Sequence, residues 1–268
     1  MELRQRALEA LCAADPLRKA EAARQLQVDA AQLAVAERAP LPTAPVPGRP
    51  ARPVLVHPAR VPRRSPHTGE GLAALLHAIA HIEFNAINLA LDAAWRFDGL
   101  PRPFRLDWVG VAAEEAYHFT LLLELLQSLG HGYGDFPAHD GLWAMCEKTQ
   151  DDAVARMALV PRTLEARGLD ANPQIQDKLR RVDSPVARRA VDVLEIILRD
   201  EVGHVAVGNR WYRWLCERDG LDPVALYPQL VERYAAPRLH PPFNEAARRK
   251  AGFTEAEIAA LLRAAPGA

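Results

Sequence analysis

Apolar residues recur three and four positions apart along most of the chain, the spacing of helices that bury one face. Residues 2–36, rich in Ala, Leu, Arg, Glu and Gln, read as two short helices broken near Asp15-Pro16. Residues 37–69 lose that rhythm: proline this dense forbids helix and favours an extended path. Helical periodicity returns over Thr68–Phe97, stopped by Gly99-Leu-Pro-Arg-Pro, and over Phe104–Leu129, stopped by Gly130 and Gly132. A loop with at most a short helix follows over His131–Lys148. A third long helix is expected from Asp151 to Ala166, with Gly168 near its end, and a short one over Asn172–Val182, begun by Asn-Pro. The fourth long helix has Ser184 as N-cap and Pro185 at its first position, and runs to Arg218 before Gly220. The proline-punctuated tail ends in a short amphipathic helix, with Thr254 and Glu257 spaced as a capping box. Almost nothing reads as strand. The expected fold is all-α. A helical extension (1–36) and a Pro-rich arm (37–69) precede a four-helix bundle (70–219), and a tail (220–268) follows it.

Acids lie where the apolar stripes should be unbroken. Glu83 sits within the stripe Leu76, Ile79, Ala80, Ala86, Ile87, Ala90, Leu91 and Ala94. Val111, Leu122, Leu125 and Leu129 share their stripe with Glu115 and His118. Leu194, Ile197, Leu198, Val205, Gly208 and Trp211 flank Glu201 and His204. An ionised carboxylate inside a bundle is costly unless it is paired or metal-bound. Three helices that all do this at mid-length need a common cause.

Glu115-Ala-Tyr-His118 and Glu201-Val-Gly-His204 are both Glu-x-x-His. At i and i+3 the two side chains leave one helix face and can bind one ion. Each copy is preceded by a further acid, Glu114 or Asp200. A single Glu-x-x-His is usually a surface pair. Two copies on apolar stripes, each preceded by another acidic helix, fit a dinuclear carboxylate site in a four-helix bundle. That geometry needs a fourth carboxylate. Glu165 lies on the apolar stripe Val154, Met157, Ala158, Pro161 and Leu169, whereas Glu147 lies on a mixed one, so Glu165 is the better candidate. Pro161, one turn earlier, should bend or loosen that helix. Four carboxylates and two divalent ions leave the filled site near neutral, and carboxylate and imidazole donors without thiolate suit iron or manganese.

The remaining composition narrows the setting. Lys and Arg number 33 against 34 Asp and Glu, a formal net charge of -1, which excludes a strongly basic nucleic-acid coat. Basic residues do gather in the arm, at Arg49, Arg52, Arg60, Arg63 and Arg64. Cys12, Cys146 and Cys216 are far apart, against a disulfide framework or a cysteine zinc site and in keeping with a reducing cytosol. The start of the chain lacks the apolar core of a signal peptide, and no uninterrupted apolar run has the length of a spanning helix. A cytoplasmic protein without membrane attachment is expected.

The order Glu, Glu-x-x-His, Glu, Glu-x-x-His on four helices resembles the ferritin-like superfamily. The strings HIEFNAINLALDAAWRF, DWVGVAAEEAYHFTLLLELLQSLGHGYGDFPAHDGLW, RMALVPRTLEARGLD and RDEVGHVAVGNRWY look like a bacterial family of ferritin-like domains without a settled reaction, over about residues 70 to 250. The resemblance implies Glu83 and Glu165 as single carboxylate ligands, Glu115 and Glu201 as bridges, and His118 and His204 as one ligand to each ion. It further implies that Glu114 holds the His204 ring and Asp200 the His118 ring. The expected activity is that of a di-iron oxidoreductase, using dioxygen and an electron-donor protein to hydroxylate or dehydrogenate an organic substrate, as a monomer or small homo-oligomer rather than a cage. The basic arm leaves RNA as a candidate substrate. The alternative is iron storage, ferroxidase or peroxide removal of the ferritin and rubrerythrin kind; the chain has no rubredoxin-type cysteine pairs.

Overall fold

The computed structural model describes residues 2–62 and 64–264. Arg63 of the basic arm and the last four residues of the tail lie outside them. The fold is all-helical: among the described residues there is no strand, only two isolated bridges. The helices are α1 (Leu3–Cys12), α2 (Pro16–Asp29), α3 (Gly69–Arg96), α4 (Arg102–Ser128), α5 (Gly141–Lys148), α6 (Ala153–Leu159), a π-helix (Val160–Glu165), α7 (Ala166–Leu179), α8 (Pro185–Arg218), α9 (Pro223–Arg233), α10 (Glu245–Lys250) and α11 (Glu255–Ala264). The chain divides into two compact units. Met1–Trp143 and Lys178–Val193 form one; Ala144–Asp177 and Leu194–Ala268 form the other.

In the first unit α3 packs along α4, α2 lies on α4 and α1 on α3. Helices α1, α2 and α3 start at side-chain caps: Glu2 accepts from the Arg4 and Gln5 N–H groups, Asp15 from Arg18, and Thr68 from Gly71. Two buried arginines end α3. Arg4 donates to the carbonyls of Trp95 (2.8 Å) and Arg96 (3.1 Å), and Arg105 to those of Ala93, Ala94 and Phe97. They satisfy the carbonyls that a helix end leaves over. Every stripe residue of α3 named above is buried, from Leu76 through Ala94. This helix is long and apolar enough to cross a membrane, but 78% of its most apolar stretch is buried within the protein.

The Pro-rich arm is fastened to this unit. Gly48 N–H donates to the Leu11 carbonyl (2.9 Å), the Trp95 indole donates to Pro40, and Arg49 pairs with Asp140 at 2.6 Å. Val54 and Val56 exchange backbone hydrogen bonds with Ala138. Gly48 approaches so closely that a side-chain carbon on it would overlap the Cys12 carbonyl.

In the second unit the third long helix departs from the sequence expectation. Instead of a helix that ends near Gly168 and a separate one over Asn172–Val182, α6 widens into the π-helix at Val160 and continues as α7 to Leu179, with Pro173 inside it. The expected loosening at Pro161 is thus a π-helical turn, in which the Thr163 hydroxyl donates to the Ala158 carbonyl (2.7 Å). The tail carries two further short helices, α9 and α10, before α11. The capping box of α11 forms as expected: Thr254 N–H donates to Glu257 Oε2 (2.7 Å) and Glu257 N–H to Thr254 Oγ1 (3.3 Å). A small core of Ala166, Leu169, Val205, Ala247 and Ala251 joins α7, α8 and α10.

Candidate metal centre

Within the first unit, α3 presents Glu83 and α4 presents Glu115 and His118 to one buried spot. Glu115 and His118 are fully buried, and Glu83 is 4% exposed. His118 Nδ1 lies 3.3 Å from Glu83 Oε2 and 3.5 Å from Glu115 Oε2. One ligand atom from each of the three lies within 4.8 Å of those of the other two. Burial works against a second proton on His118, but the Glu115 and Glu83 carboxylates outweigh it and push its pKa up to about 11. Two carboxylates that hold a proton on this ring form a donor set for a cation. The buried Glu and His cluster therefore fits a metal ion.

An aromatic cluster lies on the same two helices. Phe84 and Phe119, each next to a ligand in sequence, pack on Tyr133 with ring centroids 5.3 and 5.1 Å away. His81 does not join the ligands. Its Nδ1 lies 2.8 Å from the Tyr133 hydroxyl and its Nε2 3.2 Å from the His139 carbonyl oxygen. Burial lowers its pKa to about 4, so the ring is neutral. His77 accepts the Gly134 N–H at 2.9 Å, and burial lowers its pKa to about 4 as well. The His131-Gly-Tyr-Gly stretch is thus a turn, as its glycines suggest, but one that delivers Tyr133 to His81, Phe84 and Phe119. No sequence spacing links Tyr133 to His81.

The second unit carries the other Glu-x-x-His on α8. Glu201 is 8% exposed and His204 1%, and His204 Nδ1 lies 3.8 Å from Glu201 Oε1. Glu165, the last residue of the π-helix, is buried. Glu147, the competing third-helix acid, is on the exposed side of α5, and this favours Glu165. Within this unit alone the described residues bring no three ligand groups together as Glu83, Glu115 and His118 are. Glu114 is exposed on α4, and Asp200 is held by its neighbour Arg199 at 2.8 Å.

The chain matches the model of a family described as Protein of unknown function (DUF455) over residues 12–259. It is similar to an uncharacterized protein of Haemophilus influenzae, 52% identical over 217 residues that cover 78% of this chain and 74% of that one. No solved structure matches it.

Proposed function

The chain belongs to that family of proteins of unknown function, which carries no reaction with it, and we propose one from the ligand set. The protein is a ferritin-like, non-haem di-iron oxidoreductase in which Glu83, Glu115, His118, Glu165, Glu201 and His204 hold two iron ions. The observation that carries this reading is the buried convergence of Glu83, Glu115 and His118, together with the repeat of the same Glu-x-x-His spacing at Glu201 and His204. All six residues are buried, four of them carboxylates, and two divalent ions balance that charge.

Iron bound there supplies the reduction of dioxygen coupled to hydroxylation or dehydrogenation of an organic substrate. The chain's own part is to position and to exclude water. Glu83 and Glu115 fix the His118 ring, and all six ligand residues are buried away from water. Arg49 and Arg64 of the arm are taken up by Asp140 and Glu70, which favours a small organic substrate over RNA. An electron-donor protein would re-reduce the centre.

The test is the metal content of protein from iron-replete cells, with an absorption spectrum recorded before and after air reaches the ferrous form. About two iron per chain and an oxygen-dependent absorbance are expected. Zinc alone, or one metal per chain that resists exchange, would overturn the reading. A solution mass of many subunits would favour the storage alternative, and a monomer or small oligomer the enzyme.

A further inference from the structure

The second unit holds a cavity of about 220 Å³. It lies among the π-helix, α9, the segment after α9, α10 and α11. Its walls are apolar: Val224, Tyr227, Val231, Leu239, Phe253 and Leu261. The charged groups at this apolar cavity do not balance. Three arginines line it, Arg162, Arg238 and Arg248, against one carboxylate, Glu257.

Two of those arginines are buried and partly compensated. Arg162 donates through Nη1 to Asn209 Oδ1 and through Nη2 to Glu257 Oε1, both at 2.9 Å. Arg248 is paired with Asp170 at 2.5 Å. Glu257 is itself shared, because Arg213 also reaches its Oε2 at 2.7 Å. Arg162 Nε is buried and has no hydrogen-bond partner. The guanidinium lies near the rings of Tyr212, Tyr227 and Phe253, 4.7 to 5.2 Å from their centroids, but a ring face does not replace an acceptor. Arg238 is exposed and has no ion pair among the described residues. The lining thus offers an exposed, unpaired cation beside apolar walls.

We infer that this cavity is a binding site for a small apolar carboxylic acid, its carboxylate drawn by Arg238 and its chain among the apolar walls. A pocket of about 220 Å³ has room for a short aliphatic chain that ends in a carboxyl group. An acid is favoured over a neutral ligand because it supplies the negative charge that Arg238 lacks. The inference gives the tail a role: α9 and α11 form walls of the cavity, and Glu257 ties α11 to Arg162. It does not rest on the metal reading.

Octanoate is the probe, titrated into the full-length protein by calorimetry. Binding at one site per chain is expected, with octan-1-ol at least about tenfold weaker, a difference of about 1.4 kcal/mol. Arg238→Gln, at an exposed residue, should leave helical content unchanged and weaken octanoate about tenfold. Ala260→Phe, which fills the cavity, should abolish binding. Absence of octanoate binding, equal binding of the alcohol, or undiminished binding by Arg238→Gln would each overturn the inference.

Discussion

Gly208 of α8 lies so close to Pro161 of the π-helix that a side-chain carbon on it would stand 2.6 Å from Pro161 Cβ. Carbon atoms in contact prefer about 3.5–4.0 Å, so alanine does not fit without movement of one element. Gly208→Ala should lower stability by about 1–3 kcal/mol, read as a lower melting temperature. Glu165 ends the same π-helix, so bound iron should fall too. Gly168 of α7 has no neighbour within 4 Å of such a carbon, and Gly168→Ala should be neutral or stabilise by about 0.5–1 kcal/mol. Equal melting of the two variants would show that the π-helix is free to shift.

The ligand assignment makes a contrast that packing alone would not. Glu115→Ala, His118→Ala, Glu201→Ala and His204→Ala should each leave about one iron per chain or fewer, with helical content nearly intact. Glu165→Ala should do the same and Glu147→Ala should not, because Glu165 is buried and Glu147 exposed. Iron analysis beside circular dichroism decides it. A Glu147→Ala protein without metal, alongside a Glu165→Ala protein that keeps it, would overturn the third-helix choice.

Glu257 joins α11 to the rest of its unit through Arg162 at 2.9 Å and Arg213 at 2.7 Å. Burial opposes its ionisation, but Arg162, the Thr254 N–H and Arg213 outweigh this and hold its pKa below the usual carboxylate value. The folded-state pKa is therefore below the unfolded one. Its contribution is full above the unfolded value and drains as pH falls through the folded value. Glu257→Gln should cost about 3–5 kcal/mol near neutral pH, since it strands the buried Arg162 charge. The gap to wild type should narrow at about pH 3 in urea unfolding curves. A gap of the same size at both pH values would mean that the carboxylate is not ionised in the fold.

The buried Glu83, Glu115 and His118 cluster was more legible in the sequence than the chain path around it. The stripes of α3, α4 and α8 are local patterns, and acids that interrupt them stand out whatever the tertiary packing. Pro173 shows the opposite case. It reads as a helix start, but lies inside α7, because its missing N–H is compensated from afar: the Leu169 carbonyl accepts from Asn244 Nδ2 at 3.2 Å. Asn172 adds a second tie, its Nδ2 donating to the Leu194 carbonyl at 3.0 Å. Partners 75 and 22 residues away leave no trace in a local pattern. The same holds for Lys19 of α2, which is fully buried against partners 29 and 69 residues away.

Lys19 yields the last prediction. Its Nζ donates to the Gly48 carbonyl (2.8 Å) and to Asn88 Oδ1 (2.5 Å), and lies 5.0 Å from the centre of the Phe84 ring. Burial, helped by the charge of Arg49 and opposed by Cys12, lowers its pKa to about 7 from 10.5. Below about pH 7 both folded and unfolded chains hold the proton, and the cost of burying the charge is fully felt. Between about 7 and 10.5 the unfolded chain holds a proton that the folded one has lost, so stability rises with pH across that window. Lys19→Met should remove this rise. Both proteins are to be unfolded in urea at about pH 6.5 and about pH 9, so that Arg49, Cys12 and every other titrating group is common to the pair. Wild type should gain stability relative to Lys19→Met between the two values. Parallel pH dependence would mean that Lys19 keeps its proton inside the fold, held by Gly48 and Asn88 against the cost of burial.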